Sequence, residues 1–421
     1  YKTLDKEITT NKTKMSELKA TYTNTQASVV SLTASMNGLV ASTLKNVGAN
    51  IAGLGQKISS VGQAMLPLTM YIGMIGGYAL KTGAEFQTAM SEVSALTNAT
   101  DVEFQKLTDT ARTLAKETVF TASESASALK FLALAGYDTN QACAALPEIL
   151  QAAQAGAMDL ATASDLATDS IASLGYVGAD AVAALPDYLD EVAAASANAN
   201  TSMEQLMQAY VKVGGQVDNL GISMETSSTM LGILANRGIK AEQAGNSLNS
   251  ILINMVKKSG ESSKALEKLG VSMFDAKGNT RDIEDVMKDL AKALSGCTEE
   301  QKNQYLAMIG GKTQYKTLSK LLQGMVDDSG NLTIEYKNLK KEIEDAPDDS
   351  ALQKMSDTMT DNLEGDFKIL KSQLEEFFIS FTDKATPALR EFLQTLTNTI
   401  DGITRKFNSL GQGTQTLIVK A

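Results

Sequence analysis

The sequence lacks histidine and tryptophan, and it contains few cysteines and prolines. Its 421 residues include no His, no Trp, two Cys and five Pro. Without His, the most common general base and the most common zinc ligand are absent. Cys143 and Cys297 are too far apart for a short metal-binding motif, and we interpret Cys143 as a small buried apolar residue. We predict no catalytic, cofactor-binding or metal-binding residues, and no enzyme activity.

Positive charge is scarce in the middle of the chain. The net charge is -11, residues 84–234 contain five basic and nineteen acidic residues, and no Lys or Arg occurs from Phe131 to Val211. An acidic surface repels phosphate, so specific nucleic-acid binding by this region is not expected. We interpret it as a solvated acidic face that keeps an Ala-rich helical body soluble.

The composition predicts an all-α protein that is mostly helical, because Ala, Leu and Met recur at regular spacings and Pro is rare. The chain does not begin with Met and ends at "LIVKA", which we interpret as a segment of a longer polypeptide. We expect four regions: a coiled-coil-like helix (1–57), an uncharged apolar segment (58–83), a helical core with repeats of about 39 residues (84–345), and long amphipathic helices (346–421).

The first region carries a heptad pattern. Ile8, Met15, Tyr22, Val29 and Met36 lie seven positions apart, and the pattern shifts by four residues after Met36. Such a shift is a stutter, which locally unwinds a coiled coil. A coiled coil and a single amphipathic helix lying on its own domain both fit this pattern.

The next segment, 58–80, has no charged residue over 23 positions. Its length suits a membrane span, and Gly73 with Gly77 forms a small-residue pair typical of helix packing in membranes. Its polar residues and Pro67 dilute the hydrophobicity, which favours a buried or oligomer-facing helix. Membrane activity after release from a larger assembly stays a hypothesis.

The core contains an internal repeat. "LAGYDTNQACAALPEIL" from Leu134 is followed 39 residues later by "SLGYVGADAVAALPDYL" from Ser173, and a weaker third copy keeps Gly214 at the same interval. Each copy predicts a helix, a Gly in a left-handed cap, and a second helix with a Pro near its start. This arrangement predicts stacked helical hairpins whose role is packing.

Three segments imitate turns or ligand loops. "FDAKGNTRD" from Phe274 predicts a small β-hairpin, and "VDDSGNLTI" from Val326 is a second candidate. The second also imitates the start of a calcium loop, but Leu332 stands where Gly is required. "IGGKTQYKTLSKLL" from Ile309 imitates a phosphate loop, but Leu306 stands where its first Gly should be.

The last region follows "EDAPDDS" and shows apolar residues at helical spacing. A first stripe runs from Leu352 through Phe381, and Thr386 with Pro387 predicts the start of another amphipathic helix. Glu375 and Glu376 are adjacent, so they do not converge as paired catalytic carboxylates.

Several motifs in order resemble the core region of phage tail tape measure proteins. They are "GQAMLPLTMYIGMIGGYALKTGAEFQTAMSEVSALT", "LTDTARTLAKETVFTASESASALKFLALAGYD", "ANRGIKAEQAGNSLNSIL", "LGVSMFDAKGNTRDIEDVMKDL" and "IGGKTQYKTLSKLL". The resemblance covers roughly residues 55–335, and each motif alone is weak. In this family the imitation of a phosphate loop is the start of a helix.

The resemblance implies a structural role in the virion. Such proteins fill the tail lumen, template tail-tube assembly so that their length sets tail length, and leave during DNA ejection. The implied partners are further copies of the chain (a trimer as a guess), the tail tube protein, distal tail or tail-tip proteins, tail assembly chaperones and a host membrane. The implied locations are the tail lumen and tip, the host cytoplasm during assembly and the host membrane on ejection.

Two other functions fit parts of the sequence. A helical-repeat interaction scaffold unrelated to phage would explain the repeat but not the ordered motifs. A cell-wall-degrading enzyme would need a cleft that holds a carboxylic acid with a raised pKa.

Overall fold

The structure is a computed structural model that describes residues 68–327 and 329–409. The predicted heptad pattern of residues 4–39 and its stutter lie outside the described residues, as does the N-terminal part of the apolar segment 58–80.

The described part of the chain is helical, which confirms the all-α prediction. In chain order the helices are α1 (Leu68–Thr97), α2 (Asp101–Glu117), α3 (Ala122–Leu134), α4 (Thr139–Ala155), α5 (Leu160–Ser173), α6 (Gly178–Asn198), α7 (Met203–Asn219), α8 (Met224–Asn236), α9 (Ala241–Val256), α10 (Glu261–Leu269), α11 (Ile283–Ser295), α12 (Glu299–Met325), α13 (Ile334–Glu344), α14 (Ala346–Asp349), α15 (Ala351–Thr360) and α16 (Leu363–Asn408).

The chain divides into two units. One, the core unit, is Phe86–Glu376, and the other, the terminal unit, consists of Tyr1–Glu85 and Phe377–Ala421. Within the terminal unit, α1 and α16 approach closely at Gly83, because a Cβ atom there would lie 2.4 Å from Cβ of Thr382.

The core unit is an array of helical hairpins in two layers. In one layer α5 packs between α3 and α7, and α9 packs on the far side of α7. In the other layer α6 packs between α4 and α8, and both α13 and α15 pack against α6. Since each hairpin buries its apolar face against the next one, the stacking produces a continuous core. The predicted packing of helical hairpins is therefore confirmed.

Local sequence signals start the helices of the core unit. Four of the described helices begin with a capping box, in which a Thr or Asp side chain accepts a bond from a backbone N–H and a Glu or Gln three residues later bonds back. The four capping boxes are formed by Thr100 with Glu103, Thr121 with Glu124, Asp138 with Gln141, and Thr298 with Gln301. These caps fix where α2, α3, α4 and α12 begin.

The repeat glycines end the first helix of each hairpin. Gly136 has φ 87° and Gly175 has φ 86°, the left-handed conformation that the sequence predicted. The predicted Pro positions were wrong, because Pro147 and Pro186 are each the ninth residue of their helix, α4 and α6. The second helix begins within three residues of the glycine, so the prolines fall in its interior.

The third copy of the repeat differs from the prediction. Gly214 is not a cap but lies inside α7, and the left-handed residue that ends this helix is Gly221, with φ 62°. A Cβ atom on Gly214 would lie 2.0 Å from Oγ of Ser173. Gly214 is therefore required for close approach of α5 and α7, which sequence spacing does not distinguish from a cap.

The two turn-like segments each close with a single antiparallel bridge. Phe274 pairs with Thr280, and Val326 pairs with Leu332. Gly278 and Gly330 have φ of 88° and 84° in these turns. Both predicted hairpins are thus present in minimal form.

The C-terminal prediction of two helices separated at Thr386 and Pro387 was wrong. A single helix, α16, runs through Pro387 and comprises 46 residues, a length of about 70 Å. A proline in a helix interior removes only one backbone hydrogen bond, at a cost of about 3 kcal/mol, and the turns on either side can continue.

Candidate assembly surface

Acidic residues of the cation-poor middle region act as helix caps. Asp138 accepts hydrogen bonds from the backbone N–H groups of Asn140 and Gln141, at 2.8 and 2.9 Å. Asp159 accepts from the backbone N–H of Thr162 at 3.0 Å and from its hydroxyl at 2.6 Å, and these bonds lower the pKa of Asp159. Part of the negative charge therefore has a structural role at helix N-termini.

Two other acidic side chains lie half-buried where α15 meets the array. Asp190 on α6 accepts a hydrogen bond from the backbone N–H of Leu352, in the first turn of α15, at 2.7 Å. Burial raises the pKa of Asp190 and of Glu148 on α4, and the negative charge of Asp190 raises the pKa of Glu148 further. Asp190 therefore attaches α15, and neither carboxyl group is part of a solvated acidic surface.

A polar centre is buried between the two layers. The rings of Tyr188 on α6 and Tyr210 on α7 meet edge to face with centroids 5.5 Å apart. The Tyr210 hydroxyl lies 2.8 Å from Oγ of Ser227 and 2.7 Å from Oγ of Ser228, and it donates to the carbonyl of Met224 at 3.0 Å. All hydrogen-bonding positions of this hydroxyl are occupied by groups of α8, so the hydroxyl holds α7 against α8.

Glu191, on α6, is buried at the same contact between the two layers, and no Lys or Arg of the described residues forms a salt bridge with it. It is 7% exposed, and no described residue donates a hydrogen bond to its Oε2 atom. Burial, and then the negative charges of Glu225, Asp187 and Asp190, raise its pKa to about 8. Glu191 is therefore mainly protonated at neutral pH, which removes most of the cost of burying it. Glu191 was not predicted from the sequence, although the absence of Lys and Arg around it is a signal for such a residue.

The first third of α16 is held on α2 and α3 by polar contacts. Arg112 and Lys116 both contact Glu376, with Arg112 Nη2 at 2.7 Å and Lys116 Nζ at 3.5 Å from Oε1. The Ser372 hydroxyl donates to the carbonyl of Phe120 at 2.9 Å and to that of Ala115. The backbone N–H of Ser123 donates to Glu375 at 2.9 Å, so the two adjacent glutamates bind different partners.

The same part of α16 exposes an apolar stripe. Leu363, Phe367, Leu370 and Leu374 are 70%, 63%, 49% and 47% exposed. They are spaced by four, three and four residues, which places them on one side of the helix. We refer to these four residues as the α16 stripe. The sequence predicted an apolar stripe here, and the structure shows that this part of it is uncovered.

The features that imitate ligand loops have structural roles. Gly311, with φ 74° and ψ 171°, is a kink between two helical parts of α12, so the imitation of a phosphate loop leads into a helix. Asp327 accepts from the backbone N–H groups of Ser329 and Asn331, at 2.9 Å each, which makes it the first residue of a turn. Among the described residues no group of His, Cys, Asp and Glu could hold a metal ion.

The prediction that Cys143 is a buried residue was wrong, because its side chain is only partly buried. Cys143 and Cys297 are free thiols of intermediate exposure. Cys143 lies on α4 beside the buried Ala142, so it faces the edge of the core and not its centre.

The apolar segment 58–80 receives no support as a membrane span. Residues 68–80 belong to α1. Across the part of the chain that the structure describes, no helix has both the length and the apolar character that crossing a membrane requires.

Comparison with known proteins finds a family whose model matches most of the hairpin array. The profile of the phage-related minor tail protein family matches residues 108–311, which lie within the core unit. The tape measure protein of Pneumococcus phage Dp-1 is 28% identical over 323 residues, which are 77% of this chain and 27% of that protein. The probable tape measure protein of Escherichia phage P2 is 27% identical over 358 residues, 80% of this chain and 41% of that protein.

The chain is similar to phage tail tape measure proteins over most of its length. It spans about a quarter to two fifths of the length of the two curated tape measure relatives. No solved structure matches it. The family match confirms the resemblance found in the sequence motifs, and it includes the helical hairpins with Gly136 and Gly175.

Proposed function

We propose that this chain is a structural part of a phage tail, the tape measure around which tail-tube subunits assemble and whose length sets the length of the tail. The observation that carries the proposal is the match to two tape measure proteins over 77% and 80% of this chain. The tail-tube subunits, distal tail or tail-tip proteins and assembly chaperones are the partners, and the tail lumen is the location. The chain leaves the tail when DNA is ejected.

The charge of the core unit fits a position beside DNA. No Lys or Arg occurs from Phe131 to Val211, so the array presents little to attract phosphate. A protein that shares a narrow tube with DNA and precedes it out of the tube benefits from weak binding to DNA.

The hairpin array and the long helix α16 contribute differently to the length of the tail. A helix extends about 1.5 Å per residue, so the 46 residues of α16 reach about 70 Å. The core unit stacks its helices side by side, and removing one hairpin removes a layer of packing and little axial length. We therefore assign the ruler function to extended helices and a packing function to the hairpin array.

In-frame deletions in the full gene test this assignment, with tail lengths measured by electron microscopy. Deletions of whole turns from extended helical segments should shorten tails by about 1.5 Å per residue. A deletion of equal length inside the array, such as α5 with its loop, should reduce the number of tails instead. Tails of unchanged length after deletions in extended helices would contradict the proposal.

The proposed role includes no enzyme activity. Among the described residues, Glu191 is the carboxyl group with the most clearly raised pKa, and it is buried between helices and does not line a cleft open to a sugar chain. Purified chain incubated with peptidoglycan should release no soluble fragments. Release that disappears in a Glu191→Gln variant would overturn this part of the proposal.

The hairpin array also fits an interaction scaffold unrelated to tails, because stacked hairpins offer extended binding surfaces. The location of the chain distinguishes a tape measure from such a scaffold. Immunoblotting of purified, denatured particles should detect the chain, because a protein inside the lumen is hidden from antibodies in intact tails, whereas a scaffold would remain in the soluble fraction of infected cells.

A further inference from the structure

The second layer of the array has three successive grooves between its helices, and other helices of the chain cover two of them. α13 packs against both α6 and α8, and α15 packs against both α4 and α6. α2 packs beside α4, and Lys106 near the start of α2 donates a hydrogen bond to Asn140 near the start of α4. Leu114 and Pro147, further along the two helices, line one cavity. The two helices therefore run in the same direction, and the third groove lies between them.

The groove between α2 and α4 is open. It has a volume of about 710 Å³, and its lining residues belong to α2 and α4 alone. Val102 is 81% exposed there, and Leu114 is 9% exposed. Pro147 lies seven residues before Gln154, on the same side of α4, and Gln154 donates to the carbonyl of Ser356 on α15 at 2.9 Å. The opening therefore faces the side of the layer that α15 covers next to it. We refer to it as the α2–α4 groove, and its principal lining residues are Val102, Lys106, Asp109, Thr110, Leu114 and Pro147.

The two covered grooves show what kind of segment fits such a site. α13 buries Tyr336, Leu339 and Ile343, which are three and four residues apart. Leu339 enters its groove at Gly232 of α8, where an added Cβ atom would lie 2.8 Å from Cδ2 of Leu339. α15 is a helix of only ten residues and buries Leu352. A short amphipathic helix with apolar anchors at this spacing is a common occupant of a groove between helices.

The charge of the α2–α4 groove favours a basic occupant. Asp101 and Asp109 line it, and Lys106 is the one cation among its lining residues. Lys106 donates its hydrogen bond to the neutral side chain of Asn140. α4 adds no positive charge, because the chain has no Lys or Arg from Phe131 to Val211. Lys or Arg beside the apolar anchors of an occupant would therefore be attracted to the rim.

We propose that the α2–α4 groove binds a short amphipathic helix of a different protein, with apolar residues facing the groove and Lys or Arg beside them. The helices that follow in the chain are placed elsewhere, since α13 and α15 lie in the other two grooves and α16 binds α2 through Arg112, which does not line this one. A second copy would bring an equally acidic array, with five basic and nineteen acidic residues in 84–234. The inference depends on this groove and not on the proposed role in tails.

Peptide binding to the complete 421-residue chain tests the site. The probe is a fluorescent amphipathic peptide of about four helical turns, with Leu at i, i+3 and i+7 and Lys beside them. Its fluorescence polarisation should rise on binding. A second peptide with Glu in place of every Lys should bind at least roughly tenfold more weakly, because it meets the acidic rim with like charge.

Substitutions at exposed positions locate the bound peptide. Val102→Lys and Asp109→Lys should each weaken binding of the Lys peptide at least roughly tenfold, because they place positive charge in the groove. Their matched controls are Ile334→Lys on α13 and Glu299→Lys on α12, at positions that are also exposed, and these should leave binding unchanged. Circular dichroism checks that each variant is folded. Absence of binding, equal binding of the Glu peptide, or equal effects of the groove and control variants would overturn the proposal.

Photo-cross-linking identifies the natural occupant. A photoreactive phenylalanine analogue at position 102 of the full-length protein, irradiated in infected cells, should join the chain to another protein. Mass spectrometry of the product should place the link in a segment with apolar residues at helical spacing and an excess of Lys and Arg. The same analogue at position 334 should not give this product. A link to the chain itself, to a second copy or to an acidic segment, or no product specific to position 102, would overturn the proposal. Neither measurement involves tail length, so its failure is distinguishable from failure of the ruler function.

Discussion

The guanidinium of Arg112 holds the carboxylate of Glu376, which lies 264 positions further along the chain. Nε of Arg112 is 3.1 Å from both carboxylate oxygens, and Nη2 is 2.7 Å from Oε1. The side chains are 22% and 10% exposed, so little water screens the pair. This contact joins α2 to α16 and fixes which side of α16 faces the array.

A double-mutant cycle should show that this pair is coupled. Arg112→Ala and Glu376→Ala should each lower the free energy of unfolding by about 2 kcal/mol, because each removes the nearest opposite charge from a mostly buried group. The double variant should lose less than the sum. Urea denaturation gives the free energy of unfolding of the unmodified chain, the two single variants and the double variant. The exposed pair Lys368 and Glu364 is the control and should show no measurable coupling. Additive losses for Arg112 and Glu376 would contradict the prediction.

Adjacent glycines of α7 should respond in opposite ways to alanine. A Cβ atom on Gly214 would lie 2.0 Å from Oγ of Ser173, whereas at Gly215 the nearest such atom is the Ser173 carbonyl oxygen at 3.9 Å. Gly214→Ala should therefore cost about 1 to 3 kcal/mol by separating α5 from α7. Gly215→Ala should raise stability by up to about 1 kcal/mol, because Ala favours the helix. Thermal unfolding followed by circular dichroism compares them, and equal effects would refute the close-packing role.

Glu191 should make the array less stable as pH rises. Its pKa is about 8 in the folded chain, above the ordinary value near 4.5, so the folded state binds more protons between these pH values. Its contribution to stability is complete below about pH 4.5, declines by up to about 1.4 kcal/mol per pH unit, and is lost as pH passes through about 8. Glu191→Gln should flatten this slope of the unfolding free energy. Glu299→Gln, at a side chain that is 84% exposed, should leave the slope as it is.

The left-handed glycine of the first repeat should tolerate few replacements. Gly136 has φ 87°, and a Cβ atom added there would meet no described atom within 4 Å, so only the backbone conformation opposes a side chain. Gly136→Ala should cost about 1 kcal/mol, and Gly136→Asn should cost less because Asn enters this region more easily. Gly296 ends α11 with φ -79°, so Gly296→Ala should have no such cost. Equal losses at both positions in chemical denaturation would argue against the conformational explanation.

Local sequence signals predicted much of the fold. The glycines with positive φ, the two hairpin turns and the helical spacing all depend on residues within a few positions of each other, so the sequence displays them directly. The ordered motifs then identified the family. The predicted positions of Pro147 and Pro186 failed because the first-turn preference of proline was given more weight than the left-handed glycine, after which each helix begins within three residues.

Other features depend on residues that are distant in the chain. The 39-residue spacing indicated Gly214 as the cap, but Gly214 is needed for helix contact and the cap is Gly221, which lies outside that spacing. The protonation of Glu191 follows from burial between layers, and the partner of Glu376 follows from the docking of α16.

The sequence by itself determined that the chain is helical, repetitive, poor in catalytic groups and related to tape measure proteins. Only the tertiary structure decided which part of its apolar surface stays uncovered. The α16 stripe and the buried residues of the same helix follow one periodic pattern, and the pattern alone does not reveal which side is packed. Ser372 and Glu376 decide it, because their buried bonds to the array turn the stripe of Leu363, Phe367, Leu370 and Leu374 toward solvent.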